Sequence, residues 1–144
     1  MRDPSKIIVG DADSLIALVN DRDIHYTNVR RIVSVLEEKS FTILYPNTAI
    51  LEAITTLKRK LNLAAKAELL ARQFLQGVFM VVWVDEDIQK DALERFMQKA
   101  RSKQHTVFDS IVASCVKRVA GDGVLSFDRW YRTLAIPLAE DLMD

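Results

Sequence analysis

The chain has 144 residues, 49% of them hydrophobic and 28% charged, an ordinary balance for one globular domain and too apolar for intrinsic disorder. A chain of this length buries roughly two thirds of its unfolded surface, so it folds without a disulfide or structural metal, and its single cysteine, Cys115, excludes an internal disulfide and a cysteine-rich zinc site. Twenty basic residues balance 20 acidic ones, which argues against a global positive field for holding nucleic acid but leaves room for a local basic rim around an acidic centre.

Lys6 to Gly10 (KIIVG) is the first of four short apolar runs rich in β-branched or aromatic residues, too short for a buried helix and therefore read as strands. Ala12 to Val19 follows as a short apolar helix. His25 to Lys39 carries Val29, Ile32, Val33 and Leu36 at helical spacing. Phe41 to Tyr45 (FTILY) is the second strand. Thr48 to Leu61 repeats the helical stripe with Ile50, Leu51, Ile54, Leu57 and Leu61, and Ala64 to Gln76 is a further helix stopped by Gly77. Val78 to Val84 (VFMVVWV) is the third strand. Helices over Asp85 to Lys103 and Val107 to Ala120 lead to the fourth, Gly123 to Phe127 (GVLSF). Ala135 to Leu138 is a weaker fifth candidate, and Pro137 assigns it an edge.

Strands apolar throughout and separated by helices predict an α/β fold: a mainly parallel sheet of four to five strands, covered on both faces in three layers, α/β/α. Few glycines and prolines, no repeat and no low-complexity segment predict one domain over residues 1–144. No apolar run approaches the roughly 18 residues of a membrane span. The opening MRDPSK lacks the apolar segment of a secretory signal, so a cytoplasmic protein is expected.

In an open parallel sheet, ligands collect beyond the carboxyl ends of the strands. The first strand runs into Asp11, with Asp13 two residues on, and the fourth into Ser126 and Asp128. Glu52, in the helix after the second strand, and Asp109, in the first turn of the helix before the fourth, can lean over the same edge. At about 4 Å and an effective dielectric near 20, each like-charged pair costs on the order of 4 kcal/mol. Such a cluster persists only if some members are protonated or a cation sits among them. Oxygen ligands without a cysteine or histidine cluster favour Mg2+ or Mn2+. Simpler roles exist for each acid. Asp11, Asp13 and Asp128 suit helix or turn caps, and Asp109 suits the helix dipole. Glu52 lies opposite its helix's apolar stripe, which by periodicity alone is a solvated position.

Taken together, these segments resemble a known family. IIVGDADSLIALV is similar to the opening of a PIN domain, ILEAITTL to the segment with the family's glutamate, TVFDSIVAS to the segment with its third acid, and GVLSFDRWY to its last motif. The four occur in family order over positions 7 to 131. The resemblance implies that Asp11, Glu52, Asp109 and Asp128 are catalytic, metal-binding acids, and that Ser126 supports them through its hydroxyl. Asp13 departs from the family pattern, where serine, threonine or asparagine is common, and is expected to act as a supporting acceptor or an extra ligand. The resemblance further implies a Mg2+- or Mn2+-dependent endoribonuclease, in small members mostly a VapC-type toxin, dimeric and inhibited by a cognate antitoxin protein.

An anionic substrate needs bases nearby. Candidates are Arg129 and Arg132 after the last acid, Lys58, Arg59 and Lys60 beyond Glu52, and Lys99, Arg101 and Lys103 before Asp109. For each group the simpler reading is a solvated helix face. His105, four residues before Asp109, can flank the cleft, although a lone histidine before a helix is more often incidental and it is not read as a catalytic base; His25 has no acidic partner, and Cys115 and Trp83 read as packed. Trp130 and Tyr131 suit either base stacking or burial. Two other readings remain open. Asp11-Ala12-Asp13 also resembles the nucleophile motif of haloacid-dehalogenase-type phosphatases, in which Asp11 would form an aspartyl-phosphate. A PIN-like fold can also serve as a binding module without catalysis.

Overall fold

Ile8 and Val9 are neighbours in the chain, and neither is exposed at all. Successive strand residues point to opposite faces, so both can be buried only if both faces of the sheet are covered. The computed structural model, which describes residues 6–144, shows that covering. Strands β1 (Ile7–Gly10), β2 (Thr42–Pro46), β3 (Met80–Val82) and β4 (Gly123–Leu125) form one parallel sheet in the order β3-β2-β1-β4. Val9 packs in a cluster with Ile88 of helix α5 (Glu86–Asp91) and with Ile111 and Val112 of α6 (Val107–Arg118). Ile8 packs with Ala17 of α1 (Ala12–Val19) and with Val29 and Ile32 of α2 (Tyr26–Glu38). Leu15 of α1 joins Tyr45, Ile50 of α3 (Asn47–Thr55) and Leu70 of α4 (Ala64–Leu75) in a third cluster. This is the expected three-layer architecture. The reading of the N-terminus rested on MRDPSK, of which residues 1–5 lie outside the described residues. Among the described residues, no helix is long and apolar enough to cross a membrane.

Several elements differ from their sequence patterns. The run Val78 to Val84 yields only the three-residue β3, because this strand is at the edge and pairs with β2 alone. Trp83, expected to pack within that strand, lies beyond its end and is 65% exposed, its ring 6.0 Å from that of Phe74. Ala135 to Leu138 makes one bridge, Leu138 to Val124, and no strand. Ala135 adopts a left-handed turn (φ 61°), and the Ile136 amide is drawn back to the Tyr131 carbonyl. The helix expected over Asp85 to Lys103 stops earlier. After α5 it widens into a π turn (Ala92–Phe96) and tightens into a 3-10 turn (Met97–Lys99), leaving Arg101 and Lys103 outside. The indole N–H of Trp130 donates to the carbonyl of Lys99 at 3.0 Å.

Two glycines are required by close approach. A Cβ on Gly123 would lie 2.7 Å from the Pro137 carbonyl oxygen, the acceptor for the Val124 amide. A Cβ on Gly10 would lie 2.0 Å from Cε1 of Tyr45. That ring crosses β1 just before the chain turns into Asp11, and its hydroxyl lies 3.5 Å from Ser14 Oγ. Gly10→Ala is therefore expected to destabilise the protein by about 1–3 kcal/mol through overpacking, read as a lower denaturation midpoint; an unchanged midpoint contradicts this packing.

Candidate active site

The acids meet because strand order and helix direction bring them to one edge. β1 and β4 are adjacent, and their carboxyl ends release Asp11 and the Ser126–Asp128 segment side by side: the Asp11 amide donates to the Leu125 carbonyl at 3.0 Å. Asp13 follows in the first turn of α1. A helix leading into a parallel strand starts at the carboxyl edge, which places Asp109, in the first turn of α6, at the same end. Glu52 is on α3, which follows β2 and packs against α1 and α6. The helix face opposite the apolar stripe thus meets the cleft rather than solvent, and Glu52 is half-buried, contrary to the reading from periodicity alone.

Four of the five carboxylates are fastened by protein partners. Asp11, 6% exposed, accepts the Ala12 amide on Oδ1 at 2.7 Å and the Tyr131 hydroxyl on Oδ2 at 2.6 Å. Asp13 Oδ2 accepts the Ser126 hydroxyl at 2.9 Å and the Phe127 amide at 2.8 Å. Ser126 Oγ in turn accepts the Asp128 amide at 3.1 Å, so the serine links Asp13 to the backbone of Asp128. Asp109 closes a capping box: its Oδ2 accepts the Thr106 amide at 2.9 Å. Asp128 Oδ1 accepts the Trp130 amide at 2.9 Å, and its Oδ2 lies 2.8 Å from His105 Nε2.

Burial and mutual repulsion raise Asp11, Asp13, Glu52 and Asp109. Asp11 is held well above the usual aspartate range by burial first, then by the charges of Asp13 and Asp109. Burial lifts Asp13 from 3.8 to about 6 despite the hydrogen bonds of Phe127 and Ser126. Burial, then Asp109 and Asp13, lift Glu52 from 4.5 to about 7. Asp109 is raised by burial and, more weakly, by Asp128. The five acids are thus one electrostatic group. Among the described residues, no three His, Cys, Asp or Glu side chains already stand close enough to hold a metal ion. The donors nevertheless suit a hard divalent cation: the group is oxygen-rich, and Asp13 Oδ1 is buried with no hydrogen-bond partner.

The basic candidates divide. Arg129 is exposed directly after Asp128. Arg132 departs from its expected role: its guanidinium binds Asp141 at 2.6 Å and Glu140 at 3.3 Å on the C-terminal segment. Lys58, Arg59 and Lys60 form an exposed π turn continuing α3, and Lys58 lines a groove with Ile54, Ala64 and Glu68 rather than with the acids. Cys115 is fully buried, as expected.

Sequence reasoning assigned no contact with the acids to two residues that make one. His105 is not incidental: it meets Asp128 and stacks on Trp130 with ring centres 5.0 Å apart. Tyr131 is fully buried and bonds Asp11. His105 stands just before the helix that starts with Asp109 in its first turn, which placed it beside the cleft; nothing local pointed Tyr131 at Asp11. His25 stacks on Phe127, the residue between Ser126 and Asp128, at 3.9 Å.

An acid whose pKa is raised by folding stabilises the fold below its unfolded pKa and loses that contribution as pH rises through its folded pKa. For Glu52 the window is 4.5 to about 7. Without added metal, Glu52→Gln is therefore expected to match the unaltered protein in stability below pH 4.5 and to exceed it by about 1–2 kcal/mol at pH 8 or so, after allowance for solvent screening. Chemical denaturation at both pH values checks this, and a difference independent of pH contradicts it.

The same geometry invites comparison with known proteins. Among curated proteins there is no match. The crystal structure of Mycobacterium tuberculosis VapC20, a sarcin-ricin loop cleaving toxin, matches with a TM-score of 0.76 and 18% sequence identity, covering 90% of this chain and 96% of that one; the two share a fold. The PIN domain model matches residues 8–136, which take in all five acids, and this chain belongs to the PIN domain family.

Proposed function

We propose that this PIN domain is a divalent-metal-dependent endoribonuclease, and that it is the toxin of a toxin–antitoxin module, cytoplasmic and homodimeric. The observation carrying the reading is the group of Asp11, Asp13, Glu52, Asp109 and Asp128 at one sheet edge, with four of the five raised by burial and mutual repulsion. The likeness to VapC20, itself a toxin that cleaves the sarcin-ricin loop, supports the toxin assignment. Exposed Leu51 and Phe108 beside Glu52, and exposed Leu75, Val78, Met80 and Trp83 around the β3 edge, offer apolar surface for an antitoxin or a second copy.

Asp11, Glu52, Asp109 and Asp128 would hold Mg2+ or Mn2+, which when bound neutralises phosphate charge and makes water more acidic. The reaction is hydrolysis of an RNA phosphodiester. Water oxygen bonds to phosphorus as the bond to the 3′ oxygen breaks. Glu52, the raised and partly exposed acid, takes the water's proton on a carboxylate oxygen. The departing oxygen is protonated from solvent. Ser126 and Asp13 hold the Asp128 segment, exposed Arg129 contacts the RNA backbone beside it, and Lys58 and Arg59, in the π turn beyond α3 and away from the acids, contact the backbone farther along. The phosphatase alternative fits poorly, because it gives no role to Glu52 or Asp109, although α3 and the first turn of α6 bring both to the same edge as Asp11.

Asp11→Asn and Asp128→Asn are each expected to lose at least about 100-fold of RNA cleavage in Mg2+ or Mn2+, since losing even a hydrogen-bond partner of a metal ligand costs about 10–100-fold, with unchanged circular dichroism. Variants that cleave normally contradict the catalytic reading. Light scattering is expected to give twice the 16.4 kDa of one chain; a monomer at assay concentration contradicts the dimer.

A further inference from the structure

We propose that Tyr131 is a positioning residue for Asp11, its hydroxyl fixing the direction in which that carboxylate faces the cleft. The inference rests on the reading of the acids as a metal site. Tyr131 belongs to α7 (Trp130–Thr133), three residues after Asp128, and its side chain crosses from the β4 end to the acid at the end of β1. It is fully buried. A phenylalanine fills the same space, so packing alone does not call for a phenol, and a buried phenol needs a partner. Asp11 is the partner it has, at 2.6 Å.

The geometry explains what this bond does. An ionised carboxylate has about four lone-pair directions. The Ala12 amide occupies one on Oδ1 and the Tyr131 hydroxyl one on Oδ2. Two donors, one on each oxygen, fix the plane of the group and leave the remaining lone pairs for a cation. One donor alone leaves the carboxyl free to turn about the Cβ–Cγ bond. The neighbouring residue acts in parallel on the acid that follows β4, since Trp130 stacks on His105, whose Nε2 meets Asp128. Trp130 and Tyr131 also touch edge to face, with ring centres 5.3 Å apart. One short helix thus sets the acids of two adjacent strands relative to each other. Hydrogen-bond partners behind metal ligands carry effects of about 10–100-fold on affinity.

The test is calorimetric titration of Mn2+ into the unaltered protein, Tyr131→Phe and Asp11→Asn, alongside the Mn2+ dependence of RNA cleavage. Tyr131→Phe is expected to weaken Mn2+ binding about 10–100-fold and to raise the Mn2+ concentration for half-maximal cleavage by the same factor, with the Michaelis constant for RNA unchanged. Asp11→Asn is expected to lose Mn2+ binding. A Tyr131→Phe protein that binds Mn2+ as tightly as the unaltered protein, beside an Asp11→Asn protein that has lost binding, overturns the role of Tyr131 alone, even if its melting temperature falls. An Asp11→Asn protein that still binds Mn2+ normally overturns the site reading and this inference with it. If Tyr131→Phe does not fold, the unaltered protein supplies the readout. Mg2+ is optically silent, so its titration is expected to change the near-ultraviolet tyrosine absorption with the calorimetric dissociation constant; calorimetric binding without that change overturns the proposal, and absence of any Mg2+ binding overturns the site reading and the proposal together.

Discussion

Repulsion among half-buried carboxylates sets the terms for this molecule. Asp11, Asp13, Glu52, Asp109 and Asp128 come from the ends of two strands and from three helices, and burial removes the water that would otherwise screen them. A fold holds such a group only by supplying hydrogen bonds, protons or a cation. The hydrogen bonds are visible, since the carboxylates of Asp11, Asp13, Asp109 and Asp128 each have a protein partner, and burial favours protons by pushing Glu52 up to about 7 and Asp13 up to about 6. The buried, unpartnered Asp13 Oδ1 is the oxygen that a cation would satisfy.

The scaffold concentrates this unfavourable electrostatics at one end. Its core is ordinary, with apolar clusters on both faces of the sheet and Ile8 and Val9 sealed between them. The helices whose first turns lie at the carboxyl edge add partial positive charge there. The charged side chains that pair closely elsewhere, such as Arg118 with Asp85 and Arg132 with Asp141, are largely exposed and add little to stability. The acids therefore stand together at a cost that the rest of the chain offsets through packing.

How far the sequence revealed this arrangement depended on the range of the interaction. Strand runs, the parallel sheet and the positions of Asp11 and Asp128 were legible because apolar runs and the residues after them are local, and parallel sheets present their strand ends on one edge. Asp109 followed from the start of its helix. Glu52 was legible only by family resemblance, since helical periodicity places it in water, and only the packing of α3 against α1 and α6 turns that face into the cleft. Tyr131 was missed because its partner lies 120 residues away, and a buried aromatic looks the same in sequence whether or not its hydroxyl is bonded. Trp83 misled for a related reason: an apolar run does not state where an edge strand ends. Arg132 looked free because its acidic partners lie in the short C-terminal turn, eight and nine residues on.

The central claim is that these carboxyl groups share one divalent-cation site. Anomalous diffraction from crystals grown with Mn2+ tests it most directly. A single strong peak, or a close pair, coordinated by Asp11 together with other members of the group is the predicted result. Crystals in which the acids are ordered and the anomalous map is empty between them, or in which Mn2+ sits only elsewhere, would contradict it.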